Sequence, residues 1–255
     1  MSGETDAIMR PLLQRAGREA LQRFRHVRAR HKADGSPVTE ADLIAEQILV
    51  EGIEAAFPGD AIRSEEGMGA TGAGGRQWMV DPLDGTGSFL EGLAHWGPTV
   101  GLLDEGAPIY GALYWPRTGD YFHAEEGVAW WDEEPLPKIA VEAPTRRGIL
   151  YIPSRLHAYV RLGWPGKARN LGSIAAHLAL VATGGAAGAL IPGGWKPWDV
   201  VCGMALLDCV GGEARTFNGD PLSIPAHSGQ AFIAGNPAVV AYLLQPDRLR
   251  FFTDT

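Results

Sequence analysis

The sequence predicts a layered fold of the α/β or α+β class, and three observations support this prediction. Helical and strand-like segments alternate along both halves of the chain. Between residues 99 and 140, short apolar segments are separated by turn signals, which is typical of a β-meander. With 255 residues, 45% of them hydrophobic, the chain can fill one large core or two closely joined halves.

The first half is predicted to begin with two helices. Residues 5–31 have the spacing of an amphipathic helix, in which Pro11 is tolerated near the start or marks a kink. A loop with the sequence KADGSP follows. Thr39 then has the character of an N-cap for a second helix, which we expect to end near Phe57, before a Pro-Gly pair.

The rest of the first half is predicted to consist of a flap and strands. The glycine-rich segment 67–75, GMGATGAGG, predicts a mobile flap. QWMV predicts a short buried strand that ends at Asp81, and the meander follows it. A polar stretch after the meander favours a division of the chain into halves at 1–143 and 144–255.

The second half alternates between strands and helices. Ser173 is a candidate N-cap for a helix that runs to Thr183, and a second helix is predicted from Asp199 to Gly211. Asn236, followed by proline, predicts the start of a last helix. The strands are predicted in the segments GILYIPS, AAGALI, EARTF and AFIAG.

The charge distribution bears on possible partners. A formal net charge of -8 argues against general attraction to nucleic acids or anionic lipid. Residues 1–32 are an exception, with eight of the 22 Lys and Arg residues and three acidic ones. A solvated helix face is the favoured interpretation of this basic segment, and nucleic-acid binding through it is the alternative.

The two cysteines and the N-terminal segment indicate a cytoplasmic protein. Cys202 and Cys209 lie seven residues apart in a predicted helix, too far apart along it to form a disulfide. Reduced, buried thiols are therefore expected. The N-terminal segment lacks the apolar stretch of a signal peptide, and no apolar segment is long enough to span a membrane.

The segment WMVDPLDGTGSFLEG carries the most informative motif. Asp81 and Asp84 lie three residues apart in a turn, where their charges repel unless a cation lies between them. Oxygen ligands of this kind favour Mg²⁺ or Mn²⁺, and the Leu83 carbonyl is a further candidate ligand. If a helix begins near Thr86, the N–H groups of Gly85 and Thr86 can bind an anion beside the metal. Together these features predict a phosphate site.

Each acidic motif also has a purely local explanation. DPLDG is a common turn composition. Thr39 and Asp42 can form a capping box, and Glu65 with Glu66 can belong to a solvated loop. An acid such as Asp199 is normal in the first turn of a helix.

The combination of these motifs resembles the inositol monophosphatase family of magnesium-dependent, lithium-sensitive phosphatases. Four segments occur in the family's order: KADGSPVTEADLIAEQIL, FPGDAIRSEEG, WMVDPLDGTGSF and WDVVCGMALLDCVGG. The resemblance implies a layered α-β-α-β-α sandwich of the sugar-phosphatase fold, with the active site between two halves and usually in a homodimer. It also implies two or three Mg²⁺ ions per site, with Mn²⁺ as a possible substitute.

The resemblance also assigns roles to individual residues. Thr86 and Asp42 match the pair that orients and deprotonates the attacking water, and Glu65 contributes to catalysis as a ligand of the ion that activates this water. Gly85 and Thr86 match the phosphate-binding amides. The residues that match metal ligands are Glu65, Asp81, Leu83 (through its carbonyl), Asp84 and Asp199. In-line attack by water is implied, without a covalent phosphoenzyme. The D-x-x-D spacing also disfavours the phospho-aspartate route of haloacid-dehalogenase-type enzymes, which use D-x-D.

The substrate is less well specified. Gly172, Ser173 and Lys196 are candidate substrate contacts, although Ser173 can be only a helix cap and Lys196 only an exposed lysine. No acidic residue lies between residues 187 and 198, where the family has a glutamate that contacts inositol hydroxyls. A small sugar or cyclitol phosphate is the first expectation. Ser88 and the WKPWD segment are similar to histidinol-phosphate members, the second expectation; fructose 1,6-bisphosphate and 3′,5′-bisphosphate nucleotides are further alternatives.

Overall fold

A computed structural model describes residues 3–72 and 74–252. The α-helices within these residues are α1 Glu4–Arg23, α2 Glu40–Ala56, α3 Thr86–Glu91, α4 Ile174–Ala182, α5 Pro197–Val210 and α6 Pro237–Leu243. None of them combines the length and the apolar character that crossing a membrane requires.

The strands form two large sheets and two small ribbons. The first-half strands are β1 Arg30–His31, β2 Pro37–Val38, β3 Ala61–Ser64, β4 Gly69–Ala70, β5 Arg76–Asp84, β6 Gly97–Asp104, β7 Ala107–Tyr114, β8 Tyr121–Glu125, β9 Val128–Trp131 and β10 Glu134–Pro135. The second-half strands are β11 Ile149–Tyr151, β12 Val160–Leu162, β13 Lys167–Arg169, β14 Gly188–Ile191, β15 Glu213–Thr216, β16 Phe232–Gly235 and β17 Leu249–Phe251.

The eight-stranded first sheet contains the predicted meander. Its order is β10-β9-β8-β7-β6-β5-β3-β4, and β5 to β10 pair antiparallel with their neighbours along the chain. The second sheet has the order β13-β11-β14-β16-β15, in which β11 runs parallel to β13 and β14. The ribbons are β1-β2 and β12-β17.

The elements stack in five layers, which confirms the expected α-β-α-β-α sandwich. α1 and α2 cover the outer face of the first sheet, and α4 and α5 lie between the two sheets. α6 covers the outer face of the second sheet. α5 is apolar on nearly all sides because both sheets contact it. Its contact with β6 is close, since a Cβ atom added at Gly101 would lie 2.3 Å from Val201 of α5. The division at 143/144 remains a prediction.

The predicted first helix is too long. α1 ends at Arg23, because Phe24 leaves helical geometry and its side chain packs with Phe89 and Trp96 in a buried aromatic cluster. Pro11 lies inside α1, within its first half. The basic residues that follow Arg23 therefore do not form a helical stripe, which removes one premise of the nucleic-acid alternative.

Most helix caps follow the sequence predictions. Thr39, Ser173 and Asn236 are N-caps whose side chains accept backbone N–H hydrogen bonds, and α5 ends at Gly211 in the left-handed conformation. The predicted start of α5 at Asp199 is wrong, since the helix begins two residues earlier.

The central strand and the flap also differ from the sequence prediction. β5 continues past Asp81 to Asp84, with a register irregularity between them that accommodates the DPLD turn. Part of the predicted flap is the strand β4, paired antiparallel with β3. Ala73, also in the predicted flap, lies outside the described residues.

Candidate active site

The DPLDG segment lies where β5 meets α3. Asp81 is buried, and its Oδ1 accepts the N–H of Leu83 at 3.0 Å. Gly85 precedes α3 with φ of 83°, and a Cβ at this position would lie 3.1 Å from the His95 carbonyl oxygen. The turn therefore needs glycine for both its conformation and its close packing.

Thr86 connects this turn to α2. Its Oγ1 lies 3.1 Å from Asp42 Oδ1 and 3.1 Å from the carbonyl oxygen of Leu83, and it can donate to either. Asp42 is fully buried at the third position of α2, and its Oδ2 accepts the Thr39 N–H at 2.8 Å and the Thr39 hydroxyl at 2.6 Å. The local capping box and the long-range contact with Thr86 therefore coexist in one carboxylate.

Two residues of the second half reach the same place. The Ser173 hydroxyl, at the N-cap of α4, donates to Asp84 Oδ2. Asp199 lies in the first turn of α5 and accepts the Lys196 N–H at 2.7 Å. The Lys196 residue is exposed at the N-cap of α5.

Electrostatics show that these carboxyl groups share one environment. The pKa of Asp81 is raised well above its ordinary value by burial and then by the charges of Glu65, Asp84 and Asp199. Burial raises the pKa of Asp84 to about 8, with Asp199 and Glu65 adding to the rise. Burial also raises the pKa of Asp199 to about 7, with a further contribution from Glu65. Burial and neighbouring negative charges from distant parts of the chain thus destabilise the charged forms of Asp81, Asp84 and Asp199.

Lys32 is a residue of this site that the sequence analysis did not assign. Its ammonium lies 2.8 Å from Glu65 Oε1 and 2.7 Å from Glu66 Oε1. Burial alone would lower the pKa of Lys32, but hydrogen bonds to the two glutamates raise it. Burial raises the pKa of Glu66 to about 7. The lysine in KADGSP and the paired glutamates in RSEEG were the available signals, although nothing in either segment alone joins them.

Ser88 connects the two halves beside the site. It is buried in α3, and its hydroxyl donates to the carbonyl oxygen of Leu171 at 2.8 Å. Gly172 has φ of 76°, and a Cβ there would lie 2.2 Å from the Ser88 hydroxyl oxygen. Ser88 therefore holds the loop that leads directly to Ser173.

The donor set fits a divalent cation. Its chemistry is that of carboxylate and carbonyl oxygens, which Mg²⁺ and Mn²⁺ prefer. Burial first, and then neighbouring negative charge, raises the pKa values of Asp81, Asp84 and Asp199. Across residues 3–72 and 74–252, no three His, Cys, Asp or Glu side chains are already arranged for metal ligation. The ion pair of Glu65 with Lys32 and the hydrogen bond of Asp84 with Ser173 orient these two carboxyl groups toward protein partners.

Comparisons with known proteins agree with this architecture. Residues 3–245 match the family described as the Inositol monophosphatase family. The chain is 31% identical over 239 residues to a histidinol-phosphatase of Chlorobaculum parvum, covering 89% of this chain and 90% of that protein. It is 33% identical over 202 residues to the 3′(2′),5′-bisphosphate nucleotidase CysQ of Escherichia coli K12, covering 75% and 80%. The structure of a Thermotoga maritima IMPase superposes with a TM-score of 0.83 at 25% identity, covering 96% of each chain.

The five-layer fold and its interfacial acidic site, together with these relatives, define a phosphoric monoester hydrolase. More specifically, the chain belongs to the inositol monophosphatase family, whose members are generally metal-dependent phosphatases. The expectation drawn from the four motifs is confirmed at the level of family, fold and enzyme class.

Proposed function

We propose that the protein is a Mg²⁺-dependent phosphomonoesterase that hydrolyses a small sugar or cyclitol phosphate. The observation that carries this proposal is the convergence of Glu65, Asp81, Asp84 and Asp199 in one acidic cluster, in which Asp81 and Asp84 are buried and the other two are half-buried. A fold that needed these acids only for stability would pair each of them with a cation of its own. Lys32 is the basic residue that contacts the edge of this cluster, through Glu65.

The ligand assignment follows the sequence motifs. Two or three Mg²⁺ ions, with Mn²⁺ as a substitute, would be held by Glu65, Asp81, the Leu83 carbonyl, Asp84 and Asp199. When bound, Mg²⁺ supplies Lewis-acid stabilisation of charge on the phosphoryl group and lowers the pKa of water. Burial and repulsion raise the pKa values of Asp81, Asp84 and Asp199. Because a bound cation favours their charged forms, these groups would release protons as it binds.

Thr86 and Asp42 would orient the attacking water. Thr86 Oγ1 can donate its proton to Asp42 Oδ1 while one of its lone pairs accepts a hydrogen bond from the water. Burial raises the pKa of Asp42, which makes this carboxylate a stronger proton acceptor. The N–H groups of Gly85 and Thr86 would bind the phosphate, and water attack in line would require no covalent phosphoenzyme.

The leaving group would contact the second half. Gly172 and Ser173 lie beside Asp84 through the Ser173 hydrogen bond, and Lys196 lies at the exposed start of α5. Histidinol phosphate is the second candidate substrate. It is favoured by the similarity to the Chlorobaculum parvum histidinol-phosphatase over 89% of this chain, and by the absence of acidic residues in 187–198.

A phosphatase panel with Mg²⁺ tests the proposal. It compares inositol 1-phosphate, histidinol phosphate, fructose 1,6-bisphosphate and adenosine 3′,5′-bisphosphate by phosphate release. We expect Mg²⁺-dependent turnover that Asp84→Asn and Asp199→Asn each abolish. Asp208→Asn is the matched control, since Asp208 is an exposed residue of the same helix as Asp199 and should keep full activity. A folded protein that binds no divalent metal would rule the proposal out.

We also propose a cytoplasmic homodimer, on the basis of the family resemblance and the reduced cysteines. The nucleic-acid alternative predicts salt-sensitive RNA or DNA binding that Arg25→Glu with Arg28→Glu weakens. Three basic side chains of the basic segment 1–32 are already in ion pairs with acidic residues: Arg10, Arg23 and Lys32. This pairing favours the enzyme.

A further inference from the structure

The loop of residues 170–173 leads from β13 to α4 and carries two candidate substrate contacts, Gly172 and Ser173. The Ser173 hydroxyl donates to Asp84 and accepts the N–H of Ala176 at 2.9 Å. Gly172 has the left-handed conformation that lets the chain turn toward α4. The loop belongs to no helix or strand, so hydrogen bonds from side chains determine where it lies.

The backbone of Leu171 is held from two sides. Its N–H donates to Nε2 of His177 at 2.9 Å, and its carbonyl oxygen accepts the Ser88 hydroxyl at 2.8 Å. His177 lies in α4 and Ser88 in α3, so one residue of the loop joins helices of both halves. We call this arrangement the Leu171 clamp, formed by Ser88, Leu171 and His177.

The surroundings of His177 fix the orientation of its ring. The side chain is buried, and its ring lies parallel to that of Tyr151, with centroids 4.7 Å apart and an angle of 6° between the planes. Tyr151 is the last residue of β11, the strand next to β13. Burial lowers the pKa of His177 to about 4, so its imidazole is neutral near pH 7. A neutral imidazole has one acceptor nitrogen, and the clamp requires this nitrogen to be Nε2.

The clamp lies next to the candidate substrate contacts along the chain. Leu171 is two residues before Ser173, a stretch that spans at most about 7 Å, so a shift of the Leu171 backbone moves Ser173 with it. A histidine that only filled space in the core could be replaced by an apolar side chain of similar size. The hydrogen bond to Leu171 is the feature that such a side chain would lack.

We propose that His177 is a positioning residue of the enzyme. By holding the Leu171 N–H, its Nε2 fixes Gly172 and Ser173 where the alcohol portion of the substrate contacts them. The inference rests on the proposed function. His177 acts through Leu171 rather than on the reacting atoms, so substrate binding should depend on it more than the chemical step does.

Two substitutions separate the hydrogen bond from the volume of the ring. Glutamine keeps an acceptor oxygen near the position of Nε2, whereas leucine keeps bulk without an acceptor. On the panel ester that the wild type hydrolyses fastest, His177→Leu should raise KM about three- to tenfold, the loss expected for one hydrogen bond, with kcat within about twofold. His177→Gln should keep KM within about twofold of the wild-type value. Both variants lose the stacking on Tyr151, so a role in stability alone predicts equal effects from them.

His123→Leu is the matched control, because His123 is also a buried histidine but lies in β8 of the first sheet, near Asp6. It should lower the free energy of unfolding in urea without raising KM. Equal KM values for His177→Leu and His177→Gln would overturn the positioning role. A rise in KM for His123→Leu as large as that for His177→Leu would do the same.

Two readouts need no turnover. Exchange of the Leu171 amide hydrogen, followed by NMR, should be about three- to tenfold faster in His177→Leu than in His177→Gln, and equal rates would overturn the clamp. In the wild type, the nitrogen NMR signals of His177 should show its proton on Nδ1, and a proton on Nε2 would also overturn the clamp. If the wild type hydrolyses no ester of the panel, the proposed function fails, and these two readouts decide the clamp by themselves.

Discussion

Two buried carboxylate sites, one at α1 and one between the sheets, differ in the charge of their neighbours. Asp6 of α1 is a buried acid that accepts hydrogen bonds from Tyr121 at 2.6 Å and Tyr110 at 3.1 Å. Arg10 lies 3.2 Å from its other oxygen, and His123 lies 3.7 Å away. The Asp6 carboxylate thus has a donor or a cation on each side.

Asp81, in the acidic cluster, has no cation of this kind among the charges of the described residues that shift its pKa. Asp81 is equally buried, but its strongest charged neighbours are Glu65, Asp84 and Asp199. Its hydrogen bond comes from the N–H of Leu83. The comparison teaches that burial of an acid does not by itself mark a functional site. A buried carboxylate with hydrogen-bond donors around it stabilises the fold. Neighbouring carboxylates whose charges raise one another's pKa values indicate a cation-binding site.

Asp81→Asn should have the largest effect on activity. Removing the central carboxylate should reduce Mg²⁺-dependent kcat/KM at least about a hundredfold, as for loss of a principal electrostatic group at a reacting centre. Metal-free stability at pH 8 should stay equal or rise, because one repelling charge is gone. Phosphate release and urea unfolding in EDTA measure the two effects. A large loss of metal-free stability would show that Asp81, like Asp6, serves mainly to stabilise the fold.

Asp6→Asn should produce the opposite result. It weakens the charge-assisted hydrogen bonds from Tyr121 and Tyr110 and the ion pair with Arg10. We expect the free energy of unfolding to fall by about 2–3 kcal/mol, with kcat and KM unchanged at 25 °C. Urea unfolding and steady-state kinetics on one preparation test this. Lost activity in a protein of unchanged stability would contradict the assignment of Asp6 to the fold.

Ser88→Ala should have a smaller, positional effect. The variant leaves the Leu171 carbonyl without its donor and frees the loop that carries Gly172 and Ser173. KM should rise about three- to tenfold, with little change in kcat, because substrate contacts loosen while the first-half acids stay in place. Ser228→Ala, at an exposed serine, is the control. An unchanged KM would show that the loop keeps its position without Ser88.

Much of the architecture could be predicted because its signals are local. Caps such as Thr39, Ser173 and Asn236 satisfy nearby N–H groups, so a few residues determine where their helices begin. The end of α1 could not be predicted in this way. Phe24 leaves the helix to pack with Phe89 and Trp96, and this contact is long-range.

The candidate site shows the same division. The DPLDG turn has a local signature, and its left-handed glycine, Gly85, follows from that signature. The pairing of Lys32 with Glu65 and the bond from Ser173 to Asp84 join segments 33 and 89 residues apart. No sequence period links such distant segments. The family resemblance assigned Glu65, Asp84 and Ser173 to the site, but it indicated neither Lys32 nor these two contacts.

The central claim is that the acidic cluster is a site whose mutual repulsion a divalent cation neutralises. The free energy of unfolding as a function of pH tests it most directly. The folded-state pKa values of about 8 for Asp84 and about 7 for Asp199 lie above the ordinary 3.8. The folded chain therefore retains protons that the unfolded chain has lost, and stability should fall as pH rises through this interval. Burial lowers the pKa of His177 to about 4, so its opposing contribution is half its maximal slope at pH 6.5, where the unfolded imidazole is half protonated, and fades as pH rises further.

We therefore expect the metal-free protein to lose stability between pH 6.5 and 8, by at most about 1.4 kcal/mol per pH unit for each group. Saturating Mg²⁺ should restore the lost stability and do so more strongly at pH 8 than at pH 6.5. The Asp84→Asn variant should show a flatter pH dependence. A stability that does not change with pH in EDTA and does not respond to Mg²⁺ would contradict the account.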